Sequence, residues 1–401
     1  MNDRADHVFH RAFDRPVAVS GSGSTITTSD GRAILDGAGG AIASSIGHGR
    51  TEVVEAMAAQ ASLLEYVHST QFTTESVARF AAHVAEIVPM EDARVFPVSG
   101  GSEANETALK LARAYHLAHG ETDRHIVLAR FGAYHGNTRG VLDASNRASV
   151  TVGYEPWLGQ TVRVPLANPY RDQRTGAEHA AEIDRIIQAT GPGRVAALIA
   201  DEVMTGFGRT GRWFGMDNWG VRPDILTSGK GASSGYWPLG LCVASGHVYD
   251  TVDEADTFSH GFTWSHHPVG AAVADTVLTI IQREGLVERS RLMGERCRDR
   301  LHAALGDHPN VGEVRGIGLL NAVEFVADRE TKQPFDRADG VTERINAAAF
   351  ERDLTLYPCT SAVDGNVGDA VLLGPPLSVS EDDLDEMVDR LVASVQTTLP
   401  G

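Results

Sequence analysis

From about residue 95 to about residue 230, short apolar runs alternate with stretches of helical periodicity. The clearest runs lie at 94–98, 125–129 and 195–200. This alternation limits the fold more than any other feature. It predicts α/β units around a mainly parallel sheet flanked by helices. The flanking segments read differently. Residues 25–36 predict two strands joined at Asp30-Gly31, a hairpin signal. Helical periodicity follows at 51–64 and again at 76–87. Further on, 288–305 reads as a charged amphipathic helix and 312–326 as strands of a second sheet. A last helix is expected to start near Ser380, which can cap it, and the acids at 381–383 suit its dipole. The α/β region looks complete without the N-terminal strands. The expected division is therefore a large domain at 46–287 and a small α+β domain built from 1–45 and 288–401.

Composition narrows the class. The chain has 401 residues and a formal net charge of −18, which argues against a nucleic-acid or anionic-membrane partner. Cys242, Cys297 and Cys359 are far apart and suggest no disulfide framework. Residues 1–7 hold no apolar signal region, and no apolar run approaches the roughly 20 residues that span a bilayer. The expected location is the cytoplasm.

The candidate chemistry centres on Lys230, between Gly229 and Gly231 and just after the strand-like run 224–227. A lysine held there becomes a nucleophile if its surroundings favour the neutral amine. By itself a Gly-flanked lysine is more often an exposed turn residue. A second signal precedes it. The apolar run 195–200 delivers Asp201 to the tip of a buried strand, where a carboxylate needs a cationic or hydrogen-bonding partner. A third is the strand, Gly-rich turn and helix starting at Val98-Ser99-Gly100-Gly101-Ser102-Glu103. Free N–H groups at such a helix start make an anion site at Gly101 and Ser102, although a plain capped helix start fits equally. Tyr134 follows a strand in Phe131-Gly132-Ala133-Tyr134-His135-Gly136 and reads either as a ring-stacking aromatic or as a core aromatic. His135 has no assigned role. The three histidines in 259–268 lack an acidic residue or cysteine at ligand spacing, so no metal is expected. Gly206-Phe207-Gly208-Arg209-Thr210-Gly211 matches a dinucleotide fingerprint, but residues 202–205 separate it from its strand and no helix reads after it.

Taken in order, these motifs resemble the class III pyridoxal-phosphate-dependent aminotransferases of the ω-aminotransferase type. The carriers are Asp201-Glu202-Val203, the Gly206–Gly211 stretch, Gly229-Lys230-Gly231 and Gly235-Tyr236-Trp237-Pro238-Leu239-Gly240, and the likeness runs over nearly the whole chain. It implies fold type I and pyridoxal 5'-phosphate (PLP) bound as a Schiff base on Lys230, with Asp201 keeping the ring nitrogen protonated. It implies phosphate binding at Gly101 and Ser102, and ring faces covered by Tyr134 and Val203. The stretch Ser259-His260-Gly261-Phe262-Thr263-Trp264-Ser265 resembles the segment whose threonine reaches the neighbouring subunit's phosphate. Thr263 would then bind the partner's PLP in a homodimer with shared active sites. The implied substrates are a small amine donor and a keto acid acceptor. An aminomutase or racemase using the same cofactor, or a catalytically impaired PLP-binding homodimer, are the alternatives.

Two departures stand out. The family carries a Glu-Pro loop, a helix and a further strand between the run like 195–200 and the strand ending in Asp-Glu-Val, about 30 residues in all. Here residues 192–200 run straight into Asp201, so one strand serves for two. A parallel sheet buried on both faces should tolerate that poorly. The second concerns substrate. Residues 359–376 hold no arginine for a substrate carboxylate and carry Asp364 and Asp369 instead. The expected donor is an amine or diamine without a carboxylate near the reacting carbon.

Overall fold

The computed structural model describes Phe9, residues 15–363, Gly365 and residues 367–400. Its strands are β1 (Ala18–Ser22), β2 (Thr25–Thr28), β3 (Ala33–Asp36), β4 (Arg94–Val98), β5 (Ile126–Arg130), β6 (Thr161–Val164), β7 (Val195–Ile199), β8 (Ile225–Gly229), β9 (Gly240–Ala244), β10 (Val311–Ile317), β11 (Leu320–Phe325), β12 (Leu354–Thr355), β13 (Tyr357–Cys359) and β14 (Asp369–Leu373). β2 and β3 pair antiparallel across the Asp30-Gly31 turn, as the hairpin signal predicts. β3 then pairs parallel with β12, so an N-terminal strand joins a C-terminal one. β10, β11, β14 and β13 form a second antiparallel sheet. Helix Leu286–Leu305 covers the predicted amphipathic stretch. Ser380 accepts from the Asp383 amide at the start of helix Glu381–Thr398. One apolar cluster runs from Phe80 through Leu226, Leu241 and Ile280 to Phe325 and Leu391, tying the layers together. Each such side chain, fully buried, contributes roughly 1.5–3 kcal/mol.

The central sheet departs from a continuous, largely parallel one. It consists of two three-stranded sheets, β4-β9-β8 and β6-β5-β7. The first is antiparallel throughout, with β9 in the middle, and the second is parallel. Among the described residues no ladder joins β7 to β8. The edge this leaves is visible in β7, where Leu198 is 51% exposed, unusual for a strand in the middle of an α/β domain. Helix Gly101–Ala118 packs on β7, β8 and β9 and so bridges the two halves. His116 on that helix donates from Nε2 to the Ala196 carbonyl of β7 at 3.0 Å.

Glu202 staples the halves where β7 and β8 end. Its backbone N–H donates to the Thr227 carbonyl of β8 at 3.0 Å, and its carbonyl accepts from Ser228 Oγ at 2.7 Å. Its carboxylate is buried and accepts from the amides of Gly215 and Met216, both at 2.8 Å. Net worth is modest for a neutral hydrogen bond, about 0.5–1.5 kcal/mol, and larger for charged ones. Together they bring the ends of β7 and β8 side by side where the chemistry-bearing residues lie.

Candidate active site

β8 ends at Gly229 and hands the chain to Lys230, which sits at φ +36°. A side chain in that region is strained, at a cost of order 1–3 kcal/mol, and persists only where its surroundings fix it. The flanking chain is crowded. A Cβ on Gly231 would approach Phe207 Cβ at 3.3 Å, a tight contact. Among the described residues Lys230 Nζ makes no hydrogen bond. Burial pushes its pKa below the ordinary lysine value, opposed by the negative charge of Asp201 and aided by Arg147 and Arg209. The amine is thus biased toward its neutral, nucleophilic form.

Asp201 stands two residues beyond β7 and is fixed from three elements. Its Oδ1 accepts from the Val203 amide at 3.1 Å. Its Oδ2 lies 2.5 Å from His135 Nδ1, and a carboxylate there requires that this nitrogen carry the proton. Asn105 Nδ2 adds a longer bond at 3.4 Å and also donates to the His135 carbonyl at 2.7 Å. Asn105 is itself held by Thr227 Oγ1 of β8 at 2.6 Å. His135 is 4% exposed. Sequence reasoning left His135 without a role and passed over Asn105. The signal for Asn105 was available: an amide one helical turn after Gly101, on the face that packs on the sheet.

Gly101 and Ser102, where an anion site is expected, stand at a helix start. Helix Gly101–Ala118 begins after Gly100 with no side-chain cap, which leaves first-turn N–H groups available. A Cβ on Gly101 would sit 2.9 Å from Val203 Cγ1, so the glycine lets Val203 close over the helix start. Ser102 Oγ accepts from the Asn137 amide at 3.2 Å and keeps its own proton to donate. Ser99 Oγ is buried and lacks a partner among the described residues.

Gly101, Ser102, Tyr134, Asp201, Val203 and Lys230 all line one cavity of about 820 Å³. Thr263 does not. It is exposed, and its carbonyl accepts from Tyr66 Oη at 2.7 Å. The histidines around it pack as aromatics: His266 against Phe96, His267 against Trp237, with His260 bonded to Thr107. Among the described residues no group of three or more His, Cys, Asp or Glu side chains is placed to hold a metal. The glycine-rich 206–211 stretch forms turns and opens no helix. Its Arg209 is buried and donates to the carbonyls of Leu319, Pro375 and Ser44, and burial lowers its pKa to about 10. Asp369 is turned away from the cavity: its Oδ1 accepts from the Thr342 amide and hydroxyl. Asp364 lies outside the described residues. No helix among them is long and apolar enough to cross a membrane.

A lysine whose charge is disfavoured by burial and a clamped carboxylate thus lie at the ends of β8 and β7, beside a helix N-terminus with open first-turn N–H groups. Residues 10–200 and 193–395 match the pattern of class-III aminotransferases. The chain belongs to that family, and its architecture is that of the fold type I transaminases. The two matched spans overlap at 193–200, which includes β7. The chain is similar to the diaminobutyrate–2-oxoglutarate transaminase of Halomonas elongata, with 32% identity over 430 positions covering 94% of this chain and 90% of that protein. That span exceeds the 401 residues here, so the relative carries residues this chain lacks. Among solved structures it is similar to an (S)-enantioselective ω-transaminase from Thermomicrobium roseum, with TM-score 0.92, 32% identity and coverage of 98% and 97% of the two chains. A PLP-bound aminotransferase variant from Vibrio fluvialis follows at TM-score 0.89 and 28% identity, covering 96% of this chain and 93% of that one.

Proposed function

We propose that this aminotransferase uses pyridoxal 5'-phosphate to move an amino group from a primary amine or ω-amino compound to a keto acid. The observation that carries the reading is Lys230 Nζ, without a hydrogen bond among the described residues and pushed by burial toward the neutral amine, sharing a cavity with Asp201. The residues fit the cofactor. Gly101 and Ser102 take its phosphate, with the Ser99 hydroxyl, which has no partner among the described residues, beside them. Tyr134 and Val203 cover the ring faces. Asp201, oriented by His135 and Asn105, keeps the ring nitrogen protonated. Bound there, PLP supplies an aldehyde that captures amines and a ring that accepts electrons. Lys230 supplies the amine that holds the aldehyde and, once released, a base and then an acid at Nζ.

Supporting the donor class, the segment before Pro375-Pro376-Leu377 holds no arginine, and Leu166, Trp237, Ile317 and Leu372 give the cavity apolar walls. A homodimer is part of the proposal. Thr263 lies outside its own cavity, and Leu63, Phe72 and Trp264 are exposed apolar side chains that a partner would cover. The division into a large domain at 46–287 and a small one from 1–45 and 288–401 rests on the β3–β12 pairing. A cytoplasmic location fits three free cysteines.

The test is product analysis with putrescine as donor and pyruvate as acceptor. Alanine is expected only when both are present. Conversion of the amine without pyruvate would indicate an isomerase of the same family. Alanine as the fastest donor, with simple amines inert, would overturn the donor class. The split sheet favours a second reading, a cofactor-binding dimer impaired in catalysis, and cofactor uptake without any amino transfer would select it.

A further inference from the structure

An aminotransferase must seat its keto acid in the cavity that seats its amine, and the keto acid brings a carboxylate. That charge needs a cation, and the segment 359–376 holds none. Three arginines line the cavity. Arg315 is already spent: it pairs with Glu313 at 2.7 Å and with the fully buried Glu324 at 2.6 Å. Arg130 is exposed at the end of β5, and its charge is not among those acting on Lys230.

Arg147 is different. It is half-buried, and its Nε donates to the Gly132 carbonyl at 3.2 Å. Its guanidinium carbon stands 6.0 Å from the centre of the Tyr134 ring. The two terminal nitrogens make no hydrogen bond, and no carboxylate pairs with the group, among the described residues. Its charge reaches Lys230. The turn beneath it is braced by Arg163, which donates to the carbonyls of Asp143, Ala144 and Ser145. A cation anchored by Nε, with its outer fork free, is arranged for bidentate carboxylate binding.

We propose that Arg147 receives the carboxylate of the keto acid acceptor, and so decides that the second substrate is an acid while the first is a plain amine. This rests on the aminotransferase reading above. The test compares the PLP-loaded wild type with Arg147→Gln, Arg147→Lys and Arg130→Gln. The first readout is binding of propionate, an unreactive carboxylate, followed by broadening of its NMR signals. Arg147→Gln is expected to weaken it about 10- to 100-fold, the range for losing a charge-assisted pair. Arg147→Lys should fall between, having charge but no fork. The second readout is the acceptor half-reaction. KM for pyruvate should rise by a similar factor in Arg147→Gln, while kcat/KM for butanal, which has no carboxylate, changes less than about threefold. Equal losses for pyruvate and butanal would mean that Arg147 only braces Tyr134, and would overturn the proposal. Unchanged propionate binding, or the same loss from Arg130→Gln, would also overturn it. No amino transfer by the wild type with any acceptor would instead sink the aminotransferase reading, whatever propionate does.

Discussion

Lys230→Ala is expected to lose more than about a thousandfold in kcat, because one change removes both the covalent anchor and the proton carrier. The reasons are local. Lys230 is the amine at the end of β8, held at a strained φ of +36°. Burial keeps it from holding its proton as tightly as an ordinary lysine. Among the described residues nothing bonds its Nζ, so the group is not fulfilling a structural duty that alanine would break. The variant should therefore fold and melt close to the wild type, and should still take up some cofactor through the helix start at Gly101 and Ser102. Single-turnover assays with a primary amine measure the loss. Turnover near the wild-type rate would remove Lys230 from the mechanism.

The second large effect is expected at Asp201. Asp201→Asn preserves size and still accepts the proton of His135 Nδ1, but removes the negative charge. Loss of a preorganised electrostatic group facing the reacting system costs roughly 10²–10³ in kcat. The melting temperature should stay within about 4 °C, since the hydrogen-bond network to His135, Asn105 and the Val203 amide keeps its acceptor. A kcat within threefold of wild type would mean that Asp201 is only a structural clamp. A collapse of the fold would mean that its charge, rather than Glu202, ties the two half-sheets.

Much of this was legible in the sequence because it is local. The Asp30-Gly31 turn, the Ser380 cap and the glycines around Lys230 each announce their own geometry. The apolar run before Asp201 places that carboxylate at a strand tip, as found. The run at 195–200 also reads in the sequence as one strand serving for two, an expectation to set beside the absence of a β7–β8 ladder among the described residues. That the sheet divides between β7 and β8 is seen only in the ladders, and that Glu202 closes the end bearing the site depends on contacts with Thr227, Ser228, Gly215 and Met216. Those partners lie 13 to 26 residues away and follow no spacing rule. The same holds for His135 and Asn105, which meet Asp201 across 66 and 96 residues. Arg147 follows no motif in the sequence, because it is the fold after helix Arg139–Ala144 that brings this cation to the same cavity.

A chain with a divided sheet is expected still to build a working lysine site. The most direct test is the visible absorption spectrum of the purified protein after soaking with PLP, recorded before and after adding a primary amine. The account predicts a yellow band that bleaches on addition of the amine, and that is absent in Lys230→Ala. No band in the wild type, even after prolonged soaking, would contradict it.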